Sequence, residues 1–254
     1  MRLPGRIRFE LDPHQRRALY ANNPWSRIAF ADAVVPRVLA HQGVQAGPIF
    51  LVTLAVAEHT VPLAEAKDFD CRRVKGLTRQ ALGGISFVGM IEGALYRNFG
   101  ATGPQIGDFV SWHAHVLTWG ASRKAINDAT KSIRRSRSGL IPDRPCIDVR
   151  LVNPARVADK LYYALKGPQK EYRIYSQGDR IDPESGEVLG PGYRQSKRPL
   201  RTGDRARLCH AFEDRLLDKL LFGSGDGAPL CNAIKHETLK PFRAWEKRQR
   251  CYRG

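Results

Sequence analysis

Acidic residues are scarce in this chain. Its 25 Asp and Glu stand against 42 Lys and Arg, a formal net charge of +17 over 254 residues. Such an excess does not neutralise itself, so a polyanionic partner is expected, with nucleic acid ahead of a membrane surface. Long apolar runs are missing as well. None approaches the roughly 18 residues that a spanning helix needs, and no membrane partner is expected. Cysteines are few and widely spaced. Cys71, Cys146, Cys209, Cys231 and Cys251 are odd in number and include no CxxC pair, which speaks against a zinc knuckle and against a disulfide framework. Behind Met1-Arg2-Leu3-Pro4-Gly5-Arg6 there is no apolar signal-peptide core, so a cytoplasmic protein with reduced thiols is expected. Internal repeats and low-complexity tracts are absent too.

What is present is a globular composition, 42% hydrophobic, long enough for one sizeable core and a smaller appendage. Residues 1–45 read as a basic, helical lead-in, with a cap at Asp12-Pro13 and apolar positions at Ile28, Phe30, Val34, Val35, Val38 and Leu39. Residues 46–170 read as a compact unit. It begins with a buried strand at 49–56, followed by a helix over 62–82 that Gly83-Gly84 ends. A strand over 85–96 and a loop with Gly100, Gly103, Pro104 and Gly107 lead to a strand over 109–119. A basic helix over 121–137, a strand over 146–152 and a helix from Asn153-Pro154 to about Lys166 complete it. This order predicts an α+β domain, a central, mainly antiparallel sheet with helices packed on one side. Residues 171–254 read as a basic extension: a turn-rich stretch with a hairpin tip at Asp182–Gly186, an amphipathic helix over 205–222, and a last helix over 228–250.

The chemistry concentrates in three places. In Trp112-His113-Ala114-His115-Val116-Leu117 the strand period of two puts both imidazoles on one face, where they can close on one metal ion. Glu92 lies mid-strand among apolar residues, where a lone carboxylate is costly to bury, and is the natural third ligand. Three protein ligands with open positions make a catalytic rather than a structural metal site. On the late helix, Asp159, Tyr163 and Lys166 can share a face. A phenol there is an oxygen nucleophile, Lys166 a cation for the phenolate or a phosphate, and Asp159 an acceptor for a proton or a water. The plainer alternatives stay open: packing histidines, a solvent-facing Glu92, core tyrosines, and Lys166 as a helix-dipole partner.

Phe50-Leu51-Val52-Thr53-Leu54, then Glu92, then the His113/His115 strand, then Tyr163-Ala164-Leu165-Lys166 together resemble the ordered motifs of the HUH endonucleases, above all rolling-circle plasmid replication initiators. The likeness covers about residues 46–170. Val52 and Ala55 depart from threonine-rich first motifs, and the Tyr162-Tyr163 doublet blurs the nucleophile; neighbours on a helix are about 100° apart, and Tyr163 has the spacing to Lys166. The resemblance implies an HUH/RRM-like sheet and a Mg2+ or Mn2+ ion on Glu92, His113 and His115. It also implies a nick in single-stranded DNA or an origin hairpin, through a 5′-phosphotyrosine that leaves a 3′-hydroxyl primer and permits rejoining.

A transposase or mobilisation relaxase would use the same centre. A host helicase would be needed, since the chain has no GxxxxGK[ST] loop. Basic stretches at 123–137 and 197–207 fit phosphate contact, and Tyr172, Tyr175, Tyr193, Trp112 or Trp119 fit base stacking or core. Other classes are a non-enzymatic nucleic-acid-binding protein and an iron-dependent oxygenase with a facial triad. The oxygenase gives the basic balance and the Tyr-x-x-Lys pair no role.

Overall fold

The computed structural model describes residues 19–97, 107–141 and 144–251; the expected cap at Asp12-Pro13 and Gly100, Gly103 and Pro104 of the loop lie outside that range. Runs rich in β-branched and aromatic residues form strands β1 (Ile49–Leu54), β2 (Thr60–Pro62), β3 (Ser86–Tyr96), β4 (Phe109–Trp119) and β5 (Ile147–Val152). Strands β6 (Lys170–Ile181), β7 (Val188–Pro199) and β8 (Leu221–Ser224) follow. All join one eight-stranded sheet, ordered β5-β1-β4-β3-β6-β7, with β2 on β4 and β8 on β3. Only β3–β6 is parallel among these pairings. The fold is α+β, as expected, with a mixed sheet.

Strand β4 is the axis, buried along its whole length. Thr53 of β1 and Glu92 of β3 stand opposite His115 and His113. Directly opposed residues share a face. One face therefore carries Thr53, Glu92, His113 and His115, while Trp112, Ala114 and Val116 fill the other.

Helix α1 (Pro24–Leu39) starts where Asn23 Oδ1 accepts from the backbone N–H of Trp25 and Ser26, with Pro24 in the first turn. It buries Phe30, Ala31, Val34, Val35 and Val38, a stripe at helical spacing. A short α2 (Gln42–Gln45) follows. Helices α3 (Arg72–Ala81) and α4 (Arg123–Ser136) pack together. Arg123 of α4 lies over Phe50, on the face opposite Thr53. Helix α5 (Val157–Leu165) is launched by Asn153, whose side chain accepts from Ala155 N–H, and α1 packs along it. It covers the histidine face. The helices thus lie on both sides of the sheet, not on one, because both faces of β3 and β4 must be buried.

The expected helix over 62–82 is shorter than its composition suggests. Thr60–Pro62 pairs with β4, and the carbonyls of Ala66, Lys67 and Phe69 accept from the Arg215 guanidinium instead of from helical N–H groups. The expected helix over 205–222 divides into α6 (Thr202–Ala211), α7 (Leu217–Leu220) and β8, turned by Asp214 at a φ of 66°. The last helix divides into α8 (Gly227–Ala233) and α9 (Lys240–Cys251) around a π turn at Ile234–Thr238. The turn-rich stretch is the β6–β7 hairpin, and Asp182 at its tip accepts from the N–H of Glu184 and Ser185. Residues 171–254, read as an extension, thus place strands on β3 at both of its ends.

Candidate active site

Glu92, His113 and His115 converge. The Nε2 atoms of the histidines are 3.2 Å apart, and Glu92 Oε2 is 3.3 Å from that of His115 and 3.8 Å from that of His113. Donors about 2.1 Å from one ion lie roughly 3.0–3.4 Å from each other; two sides of the triangle meet this, and the third closes to it with a small movement of Glu92, which leaves a three-donor site for a single divalent ion with positions open. It is also the one such group of three among the described residues.

The outer nitrogens are held as a metal site requires. His113 Nδ1–H donates to Ser111 O at 3.0 Å, and His115 Nδ1 meets Thr53 Oγ1 at 2.9 Å. With its Nδ1–H engaged by a carbonyl, His113 presents the Nε2 lone pair to the centre. Burial, then His115, pushes His113 down to about 4, so it is neutral near pH 7. Burial alone raises the Glu92 carboxyl, but its hydrogen bond to His115 and the charges of His115, His113 and Arg27 hold it below the ordinary carboxylate value. The set is two imidazoles and one carboxylate, a donor set that suits a divalent ion.

Tyr163 lies against this centre, its ring centroid 5.2 Å from that of His115. Lys166 is the first residue past α5, and its Nζ sits 4.3 Å from the Tyr163 ring centroid. Burial, then the Glu92 charge, raises the Tyr163 phenol above its ordinary value, against the pull of Arg150. Tyr162 does not pack on the sheet as expected: it is 42% exposed, and its hydroxyl donates to Asp32 of α1. Asp159 lines a cavity of about 700 Å³ with Tyr163 and Lys166, yet its carboxylate is paired with Arg156 at 3.1 Å and no contact joins it to the ligand set.

A second, smaller cleft of about 80 Å³ opens on Glu92. Glu92, Tyr163, Lys166, Lys170, Tyr172 and Lys197 line it. Of the stretch 197–207, then, Lys197 reaches the site, whereas the basic helix α4 lies across the sheet. Trp112 and Trp119 are core, not base platforms. Thr53, Ser111 and Lys170 were not singled out as site residues by sequence reasoning; the register of β1 on β4 is the signal that points to Thr53. Arg27 was missed as well. This buried arginine of α1 donates to Ala21 O and, at 3.3 Å, to Lys166 O, fixing the turn that carries Lys166.

No protein-family model, no curated protein and no solved structure matches this chain. Among the described residues, no helix is long and apolar enough to cross a membrane.

Proposed function

We propose that this chain is a rolling-circle replication initiator of the HUH type, a nickase and strand transferase that acts on single-stranded DNA or an origin hairpin in the cytoplasm, with a host helicase opening the duplex. The observation that carries the reading is Tyr163 packed edge-to-face against His115, beside the Glu92–His113–His115 triangle. When bound there, Mg2+ or Mn2+ supplies polarisation of the scissile phosphate and neutralises the charge that builds on it. Glu92, His113 and His115 hold the ion; Thr53 and Ser111 orient the imidazoles.

Tyr163 attacks phosphorus through its phenolic oxygen. A Tyr–O–P bond forms and the P–O3′ bond breaks, the phenol's proton passing through water to the departing 3′ oxygen. Lys166 favours the phenolate, whose free pKa of about 10 is otherwise too high for attack at neutral pH. The 5′-phosphate stays on Tyr163, and the free 3′-hydroxyl primes synthesis. Attack by a later 3′-hydroxyl reverses the step and rejoins a strand. For termination by water, Asp159 serves as the base, which requires it to leave Arg156.

The test mixes the protein with a labelled single-stranded oligonucleotide library and Mn2+ and looks for a denaturant-resistant adduct. Tyr163→Phe abolishes it and Tyr162→Phe retains it. His113→Ala lowers nicking strongly and keeps salt-sensitive binding. An adduct that survives Tyr163→Phe and vanishes in Tyr162→Phe overturns the assignment of the nucleophile.

A further inference from the structure

The small cleft contains two lysine–tyrosine pairs, and the proposed reaction uses only one of them. The first is Lys166 over Tyr163. The second comes from the hairpin: Lys197 of β7 stands opposite Tyr172 of β6, with its Nζ 5.8 Å from the Tyr172 ring centroid. Tyr172 in turn stacks on Tyr96 of β3 at 5.2 Å, and Tyr96 accepts a hydrogen bond from Gln195. Lys170, two residues before Tyr172 on the same strand, is on the same face and lines the same cleft.

These cations are available. Lys166, Lys170 and Lys197 have no ion pair among the described residues, although Glu92 lines the cleft with them. Glu92 is committed to the imidazoles. Along β3, alternate residues Glu92, Ala94 and Tyr96 step away from the ligand set toward Tyr172, each step about 7 Å. That repeat is comparable to the spacing of phosphates on an extended strand. Three ammonium groups around one narrow opening suit a single phosphate poorly but suit two successive ones.

We propose that Lys170 and Lys197 form a second phosphate subsite, which grips the backbone phosphate next to the one attacked by Tyr163 and so sets the register of the strand in the cleft. It rests on the nicking reading for the identity of its neighbour, but not for its own detection. Lys197 is exposed and its ammonium lies beside the Tyr172 ring at the edge of the cleft. Lys170 and Lys197 bind and position; they do not touch the breaking bond.

The experiment measures binding of a fluorescent single-stranded oligonucleotide across a salt series, with chelator present so that no strand is cut. Each lost phosphate contact lowers the slope of log K against log salt by about 0.7 for single strands. Lys197→Ala is expected to lower it by about that amount and Lys170→Ala/Lys197→Ala no less, with Lys197→Arg retaining the parent slope. Lys131→Ala, on α4 across the sheet, is expected to leave it unchanged. An unchanged slope in the double variant overturns the proposal. An equal loss in Lys131→Ala also overturns it, since the effect is then diffuse charge. If no adduct forms in the library assay while the slopes behave as stated, the nicking reading falls and the subsite stands.

Discussion

Thr53 Oγ1 lies 2.9 Å from His115 Nδ1, joining β1 to the ligand set through the side of the imidazole that faces away from Glu92. The contact exists because β1 and β4 pair with Thr53 opposite His115. Such outer partners fix ring orientation and tautomer. Thr53→Val keeps the shape and removes the oxygen. Its Mn2+ affinity, measured by calorimetric titration, is expected to fall about 10- to 100-fold with an unchanged circular dichroism spectrum. Unaltered affinity removes the positioning role from Thr53.

Metal linkage offers a second check. An ion that binds only the folded chain stabilises it by about 2.7 kcal/mol at a hundred times its Kd. Mn2+ is therefore expected to raise the melting temperature of the parent protein, measured by calorimetry. Glu92→Gln and His113→Ala should each lose most of that rise, since each takes one corner from the triangle.

His59 sets a pH dependence away from the site. It is 4% exposed, and burial, then Arg73, lowers it to about 4 from an ordinary 6.5. Its folded pKa is below its unfolded one, so the unfolded chain binds the extra proton. The neutral form's contribution is intact above pH 6.5 and is lost as pH falls toward 4. The depression corresponds to a loss of about 3 kcal/mol across that window. Urea unfolding at pH 7 and pH 4.5 should show a smaller drop for His59→Gln than for the parent.

Arg215 ties the late chain to the early core. Its guanidinium lies 4.4 Å from the Trp112 ring centroid and donates to the carbonyls of Ala66, Lys67 and Phe69. Arg215→Ala strands those carbonyls and is expected to destabilise by roughly 2–4 kcal/mol in urea unfolding. Arg215→Lys recovers only part of this, because an ammonium cannot match the planar fork.

A fifth prediction concerns Gly227, where α8 begins against β3. A Cβ on Gly227 would lie 1.8 Å from Phe87 O, inside van der Waals contact with the backbone of β3. Gly227→Ala should therefore cost roughly 1–3 kcal/mol, read as a lowered denaturation midpoint. Ala at Gly47, which has open space, is the neutral control.

Much of this was legible from residue order. The strand 109–119 coincides with β4, and the period of two correctly put His113 and His115 together. Tyr163 was preferred over Tyr162 on helical angle, and it is the tyrosine that meets His115. Three things were not legible. Thr53 and Ser111 depend on strand register, which a sequence pattern does not fix. Leu221 and Phe222 read as the end of a helix because a short apolar run has no period of its own; the pairing of Leu221–Ser224 with β3 decides the matter. Lys170 was not singled out, and Lys197 only as one end of a basic stretch; they are 27 residues apart in order and meet the site through the β6–β7 hairpin.

The dependence of β3 on its late partners has a consequence for synthesis. Its neighbours β6 and β8 are contributed from Lys170 onward, so they are synthesised after both imidazoles and the phenol. A polypeptide released before Lys170 therefore carries Glu92, His113, His115 and Tyr163 without Lys170 and Lys197 of the β6–β7 hairpin. The sheet that carries Glu92, His113 and His115 is thus closed only by the final third of the chain.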